Sequence, residues 1–384
     1  MWNILLVGLM SLLLAACSGG KKVHFTQEGG SAAERPSLPN DKFLEKIWSF
    51  NSGSGYEAED NIIQPAWSDT QIFIASGEGR VSALDISNGD VLWRTDLDNS
   101  LSAGVGLGDG LVVVASYDGA VVALDEKDGS QVWSASVVNE VLAAPVVAPG
   151  VVVIRIGDNL LSGLDTATGE ALWTVERTVS GLSVRGVSRP LINGRGAVIG
   201  LADGRMLAVD IDTGEYLWET SVGRPRGNNE VRRLSDIDAD PLLFGTILYV
   251  ASFQSRLVAM AMGSPRIIWS NDVSTLKAPG IDSDYLYITD EAGSVVALNR
   301  YSGEFIWEQK SLVGRGLSSS VAIDESILVG DFEGNLYRLD KQSGDILARQ
   351  SISGGAVLET PQLIGSNILV MSESGRVALY RLGG

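Results

Sequence analysis

Few residues of this chain have the types and spacing that do chemistry. One cysteine, Cys17, directly follows the uncharged, mostly apolar run MWNILLVGLMSLLLAA. A thiol placed there reads as part of a processing site rather than as a buried core residue, because small residues ahead of a cut are what such a site requires. With a single cysteine no internal disulfide can form. The one histidine, His24, lies in a polar stretch outside the repeats, which argues against a general base or a metal site built on imidazole. Three alternating carboxylates, Asp236-Ile237-Asp238-Ala239-Asp240, look like the start of a calcium loop. An EF-hand, however, needs Gly at loop position six and Glu at twelve, and Pro241 and Ile247 stand there.

The remaining candidates are repeated. LDISNGDVLW (84–93) returns as LDEKDGSQVW (124–133), LDTATGEALW (164–173), VDIDTGEYLW (209–218), LNRYSGEFIW (298–307) and LDKQSGDILA (339–348), with a worn copy, MAMGSPRIIW, at 260–269. A catalytic site is built once, whereas a carboxylate found in almost every copy is a turn cap. A fixed period of about 40 residues points to a solenoid, propeller or array.

The elements that carry these motifs follow from one unit, LVVVASYDGAVVALDEKDGSQVWSASV (111–137). Short Val-rich runs separated by Asp-Gly pairs are antiparallel hairpins. A fourth, weaker run precedes each unit, and four strands make one propeller blade. Residues 79, 119, 159, 204, 255, 293, 334 and 375, mostly glycine, mark eight hairpin starts, but the chain ends before an eighth Trp-type strand. Ile47-Trp48, ahead of the first unit, is the donor of that strand. The expected fold is all-β: an eight-bladed β-propeller of four-stranded antiparallel blades, the last closed by an N-terminal strand. Trp48, Trp93, Trp133, Trp173, Trp218, Trp269 and Trp307 are its structural residues, packing between blades. Residues 1–16 read as an export signal, 17–40 as a flexible tether and 41–384 as the propeller.

Composition agrees. The 384 residues are 45% hydrophobic and 20% charged, which suits a chain with a full core. The net charge of −18 excludes sequence-independent nucleic-acid binding, which needs a basic face. No nucleophile–base pair stands out, so the chain reads as a non-enzyme without a cofactor or metal.

The period breaks in two adjacent places. Spacings of 45 and 51 residues contain ERTVSGLSVRGVSRP (176–190) and VGRPRGNNEVRRLSDIDADP (222–241). Both join the outer strand of one blade to the inner strand of the next, so they project from one rim. Leu182, Val184 and Arg185 on the first, with Asp236 and Asp238 on the second, would form a mixed apolar and charged partner surface. The other reading pairs Arg232 or Arg233 with Asp236 or Asp238 inside the loop.

The repeat resembles that of the quinoprotein dehydrogenases, which hold pyrroloquinoline quinone on the axis of an eight-bladed propeller. That resemblance implies a vicinal disulfide this chain cannot make. The lipobox-like Leu14-Ala15-Ala16-Cys17-Ser18, the tether, the eight repeats, GLSVRG (181–186) and RLSDID (233–238) together resemble the BamB family, lipoproteins of the outer-membrane β-barrel assembly (BAM) machinery. The resemblance implies lipidation of Cys17 and sorting to the periplasmic face of the outer membrane. It also implies docking on the POTRA domains of BamA through Leu182, Val184, Arg185, Asp236 and Asp238. Unfolded outer-membrane proteins are further candidate partners.

Overall fold

The computed structural model describes residues 32–34, 36, 38, 42–53, 63–157, 160–177, 188–224, 235–263 and 265–383. Its strands form eight four-stranded antiparallel sheets. In chain order the first seven blades span 66–96, 101–136, 146–176, 191–221, 242–271, 280–309 and 321–351. The eighth takes Gln362–Ile364, Asn367–Met371 and Arg376–Leu382 from one end of the chain and Leu44–Asn51 from the other. Leu44 pairs with Leu382 and Asn51 with Arg376, so the expected N-terminal closing strand is in place.

Local chemistry sets these elements. In the second blade, Asp109 and Gly110 both take positive φ (51° and 75°) and turn Leu101–Gly108 into Leu111–Ser116. That is the backbone a tight hairpin requires, and an Asp-Gly pair supplies it at little strain. Burial then falls from axis to rim. Leu111–Ser116 is buried throughout, whereas in the outer strand Gln131–Ser136 only Trp133 is buried.

Every outer strand carries one extra residue just before its Trp position. Ala83 pairs with Trp93 but Leu84 pairs with Val91, leaving Leu92 unmatched. The same slip leaves out Val132, Leu172, Leu217, Ile268, Ile306, Leu347 and Ile47. All eight of these bulged residues are apolar and exposed. A bulge interrupts the ladder and re-aims the following side chain, here turning the Trp toward the next blade.

The core is not central. It is eight separate apolar layers, each built from two consecutive blades, such as Ala83 and Trp93 with Val112 and Val122. The layer of Trp48, Ile364 and Leu379 with Ile72, Ile74 and Leu84 joins the eighth blade to the first and closes the ring.

Among the described residues of the stretch 17–40, read from sequence as a flexible tether, Ala33 meets the propeller. The Ala33 amide donates to the Val313 carbonyl at 2.9 Å, and the Arg315 guanidinium donates to the Ala33 carbonyl at 3.3 Å. Val313 and Arg315 lie on the connection between the sixth and seventh blades, the same type of connection as the two long ones.

Candidate partner-binding site

The repeated Trp and Asp form a scaffold. In six seams, the indole of one blade covers the turn glycine of the next: Trp48 on Gly89, Trp93 on Gly129, Trp133 on Gly169, Trp173 on Gly214, Trp269 on Gly303 and Trp307 on Gly344. Each indole N–H donates to a main-chain carbonyl of that same turn, at 2.7–3.0 Å. The carboxylate of the Leu-Asp pair caps the turn: Asp85 Oδ1 accepts from the Ser87 amide at 2.8 Å, and Asp125 accepts from Lys127 in the same way. Hydrogen bonds from the Ser87 hydroxyl and amide hold Asp85 below the usual carboxylate range. An Asp engaged in this way is a poor general base.

Two seams depart from the rule. At the seventh, Ala348 replaces Trp because the eighth blade has no outer turn for an indole to cover; its two outer strands come from opposite ends of the chain. Phe43 and Leu44 fill the layer instead, and Gln350 grips both the amide and the carbonyl of Leu44. At the seam of the fourth and fifth blades, Pro265 stands at the position of the turn glycine, four residues before Trp269. Proline cannot adopt positive φ, and Trp218 is only partly buried. Of the seven Trp expected to pack between blades, Trp218 alone is only partly buried, lying against the layer of the fourth and fifth blades.

That seam is where the second long connection is rooted. Val222 and Ile237, at its two ends, are fully buried in the apolar layer between the fourth and fifth blades. Arg256 Nε donates to the Val222 carbonyl at 2.7 Å, the Ser252 hydroxyl to the Ser235 carbonyl at 2.6 Å, and the Phe253 amide to the Asp236 carbonyl at 2.9 Å. These contacts draw Asp236 inward. It is fully buried, and Asp238 is partly buried, so the free chain does not present the pair as the exposed carboxylate patch the loop sequence suggested. Asp236, Asp238 and Asp240 do not converge: among the described residues no three His, Cys, Asp or Glu side chains could hold a metal ion. Leu182, Val184, Arg185, Arg232 and Arg233, like Cys17 and His24, lie outside the described residues.

The first long connection ends at Ser188-Arg189, against the end of the second. The Arg189 amide donates to Asp240 Oδ1 at 2.6 Å. Buried Arg155, from the third blade, donates to the Ser188 carbonyl at 3.3 Å and hydroxyl at 3.2 Å. Burial pushes the Asp240 carboxyl up, against the opposing pull of the Arg189 amide and the Arg189 and Arg155 charges.

With this geometry in view, likeness to known proteins is informative. A family model described as "Outer membrane protein assembly factor BamB" matches residues 77–309 and 292–382. The outer membrane protein assembly factor BamB of Pseudomonas aeruginosa is 42% identical, the match covering 99% of each chain. The chain belongs to the BamB family. The BamB of Alkalilimnicola ehrlichii is 43% identical over 97% of this chain and 94% of its own. The crystal structure of BamB from Moraxella catarrhalis superposes with a TM-score of 0.80 at 29% identity, covering 88% of this chain and 99% of that one. A quinohemoprotein alcohol dehydrogenase from Pseudomonas putida shares the fold alone, with a TM-score of 0.68 at 14% identity over 89% of this chain and 76% of that one.

In this BamB-family chain the sequence reading missed the residues that enter the axis. Gln64, Arg189, Asp240, Lys277 and Glu359 come from five blades, each two or three residues ahead of an innermost strand. Gln64 Nε2 donates to Glu359 Oε2 at 3.1 Å. Burial pushes the Lys277 ammonium down to about 8, with the Glu359 charge opposing, and pushes the Glu359 carboxyl up. The available signal was a proline one or two residues further on: Pro65, Pro190, Pro241, Pro279 and Pro361 open these strands, where a missing amide is tolerated.

Proposed function

We propose that this BamB-family chain is a non-catalytic scaffold lipoprotein of the BAM complex, docking on the periplasmic POTRA domains of BamA to assist assembly of outer-membrane β-barrels. It is anchored through acylated Cys17 in the outer membrane, facing the periplasm. The observation that carries the reading is that the only two long period breaks leave neighbouring blades and are joined at their ends by Arg189 and Asp240. Function added to a repeat scaffold lies in its irregular connections. Leu182 and Val184 supply the apolar anchors and Arg185 the cation. Asp236 acts from beneath the surface, holding the second connection in shape, and Asp238 stands nearer the partner. The repeated Trp and Asp, which in a quinoprotein reading would frame a cofactor, are engaged in blade packing and turn caps.

The deciding experiment is capture of the BamA periplasmic region by a soluble form beginning after Cys17. Arg185→Glu and Asp238→Lys should abolish capture while leaving the thermal melt intact. Capture that survives both changes would move the interface away from the long connections. A quinone-dependent absorption band in the purified protein would sink the non-catalytic reading.

A further inference from the structure

The described ends of the two long connections are held by hydrogen bonds to the blades. On the second, Val222 is held by Arg256, and Ser235 and Asp236 by Ser252 and Phe253, so both feet are fixed to the fifth blade. On the first, Ser188 is tied to the third blade by Arg155 and to its own blade by the Gly200 amide, which donates to the Ser188 hydroxyl at 3.3 Å. One residue further, the Arg189 amide meets Asp240 at 2.6 Å, across 51 residues of sequence. Arg189 and Asp240 each precede a proline. A residue before proline is confined to extended backbone, which narrows the directions the Arg189 amide can take. The bond therefore joins two restrained main-chain segments through one carboxylate.

We propose that Asp240 is a positioning residue for the partner-binding surface: by accepting the Arg189 amide it fixes the foot of the first long connection against that of the second, so that the two engage a partner as one unit. This rests on the docking reading above. The carboxylate is well suited to the task. A charged acceptor makes a shorter and stronger bond to an amide than a neutral one does, and Arg155 and Arg189 supply compensating charge for this partly buried carboxylate. Asp240 itself need not touch the partner.

The test uses the whole chain with Asp240→Ala and Asp240→Asn, read by amide hydrogen exchange in the free protein and by affinity for the BamA periplasmic region. Asparagine keeps an oxygen that can accept the Arg189 amide; alanine does not. In Asp240→Ala, exchange across residues 178–190 should rise about tenfold and affinity fall about tenfold, with Asp240→Asn recovering most of both. Adding Leu182→Ala should then cost less affinity in the Asp240→Ala background than in the parent, because loops already uncoupled have less to lose. Equal losses in the alanine and asparagine variants would overturn the proposal by making the charge, not the bond, the contributor. If Asp240→Ala does not fold, the asparagine variant decides alone: near-parent exchange and affinity support the clasp, and loss of both overturns it. No capture by the parent sinks the docking reading and this role with it. Parent capture with undiminished affinity in Asp240→Ala sinks the role alone.

Discussion

The indole of Trp93 stands where a side chain on Gly129 would have to go: a Cβ there would lie 2.3 Å from Cε3 of the ring. Gly129 is also at a φ of +70°, so two separate constraints exclude any other residue. The pair belongs to consecutive blades, and five further pairs repeat the arrangement around the ring.

Alanine at three glycines separates the two constraints. Gly129→Ala meets both and should destabilise by about 3 kcal/mol. Gly150 has a φ of +80° but open space around it, so its alanine variant should lose about 1 kcal/mol. Gly263 has neither constraint, and Gly263→Ala should stay within about 0.5 kcal/mol of the parent. Urea unfolding of the three proteins gives the ranking, and equal losses at all three would refute the indole–glycine account.

Truncation of the tryptophans should likewise be unequal. Trp133→Ala removes a buried ring and its hydrogen bond to Thr166 and should cost about 4 kcal/mol. Trp218→Ala removes a partly buried ring and should cost about 1–2 kcal/mol. Midpoints at constant m-value read the difference.

Lys277 gives the fold a pH dependence of known sign. Its folded pKa, about 8, lies below the ordinary 10.5, so between these values the unfolded chain binds more protons. Stability is therefore penalised fully below about pH 8, and the penalty is relieved as pH rises toward the ordinary lysine value. Lys277→Met should remove this upward slope, worth on the order of 2 kcal/mol. The parent-minus-variant difference in unfolding free energy from pH 7 to 10 measures it; a flat difference would count against an enclosed charged amine.

The bulged apolar residues of the outer strands are exposed and outside the ladder, so their replacement should be cheap. Leu172→Lys should change stability by less than about 0.5 kcal/mol while raising solubility. A loss above 2 kcal/mol would show that these residues pack in a way the free chain does not reveal.

Blade count, strand number and the closing role of the first strand were legible because each depends on local spacing: a glycine at a turn, a Trp four residues later, an apolar run of fixed length. Ala348 was not interpretable from sequence, since its meaning lies in what the next blade lacks. The depth of Asp236 was equally hidden. An Asp in a charged loop reads as exposed, whereas the buried Ile237 beside it, in the layer between the fourth and fifth blades, and the hydrogen bonds from Ser252 and Phe253 draw it under the surface. The Arg189–Asp240 bond escaped because its partners are far apart in sequence and share only a following proline.

Closure by Leu44–Asn51 has a consequence for biosynthesis. Glu45 and Arg381 are paired across 336 residues, so Leu44–Asn51 finds its partner only after Arg376–Leu382 has been made. A chain without Arg376–Leu382 has unsealed sheet edges, because both Leu44–Asn51 and Asn367–Met371 lose their partner at once. Late contacts of this kind slow folding, and they make ring closure a checkpoint of synthesis: a nascent chain passes it only after Arg376–Leu382 has been synthesised.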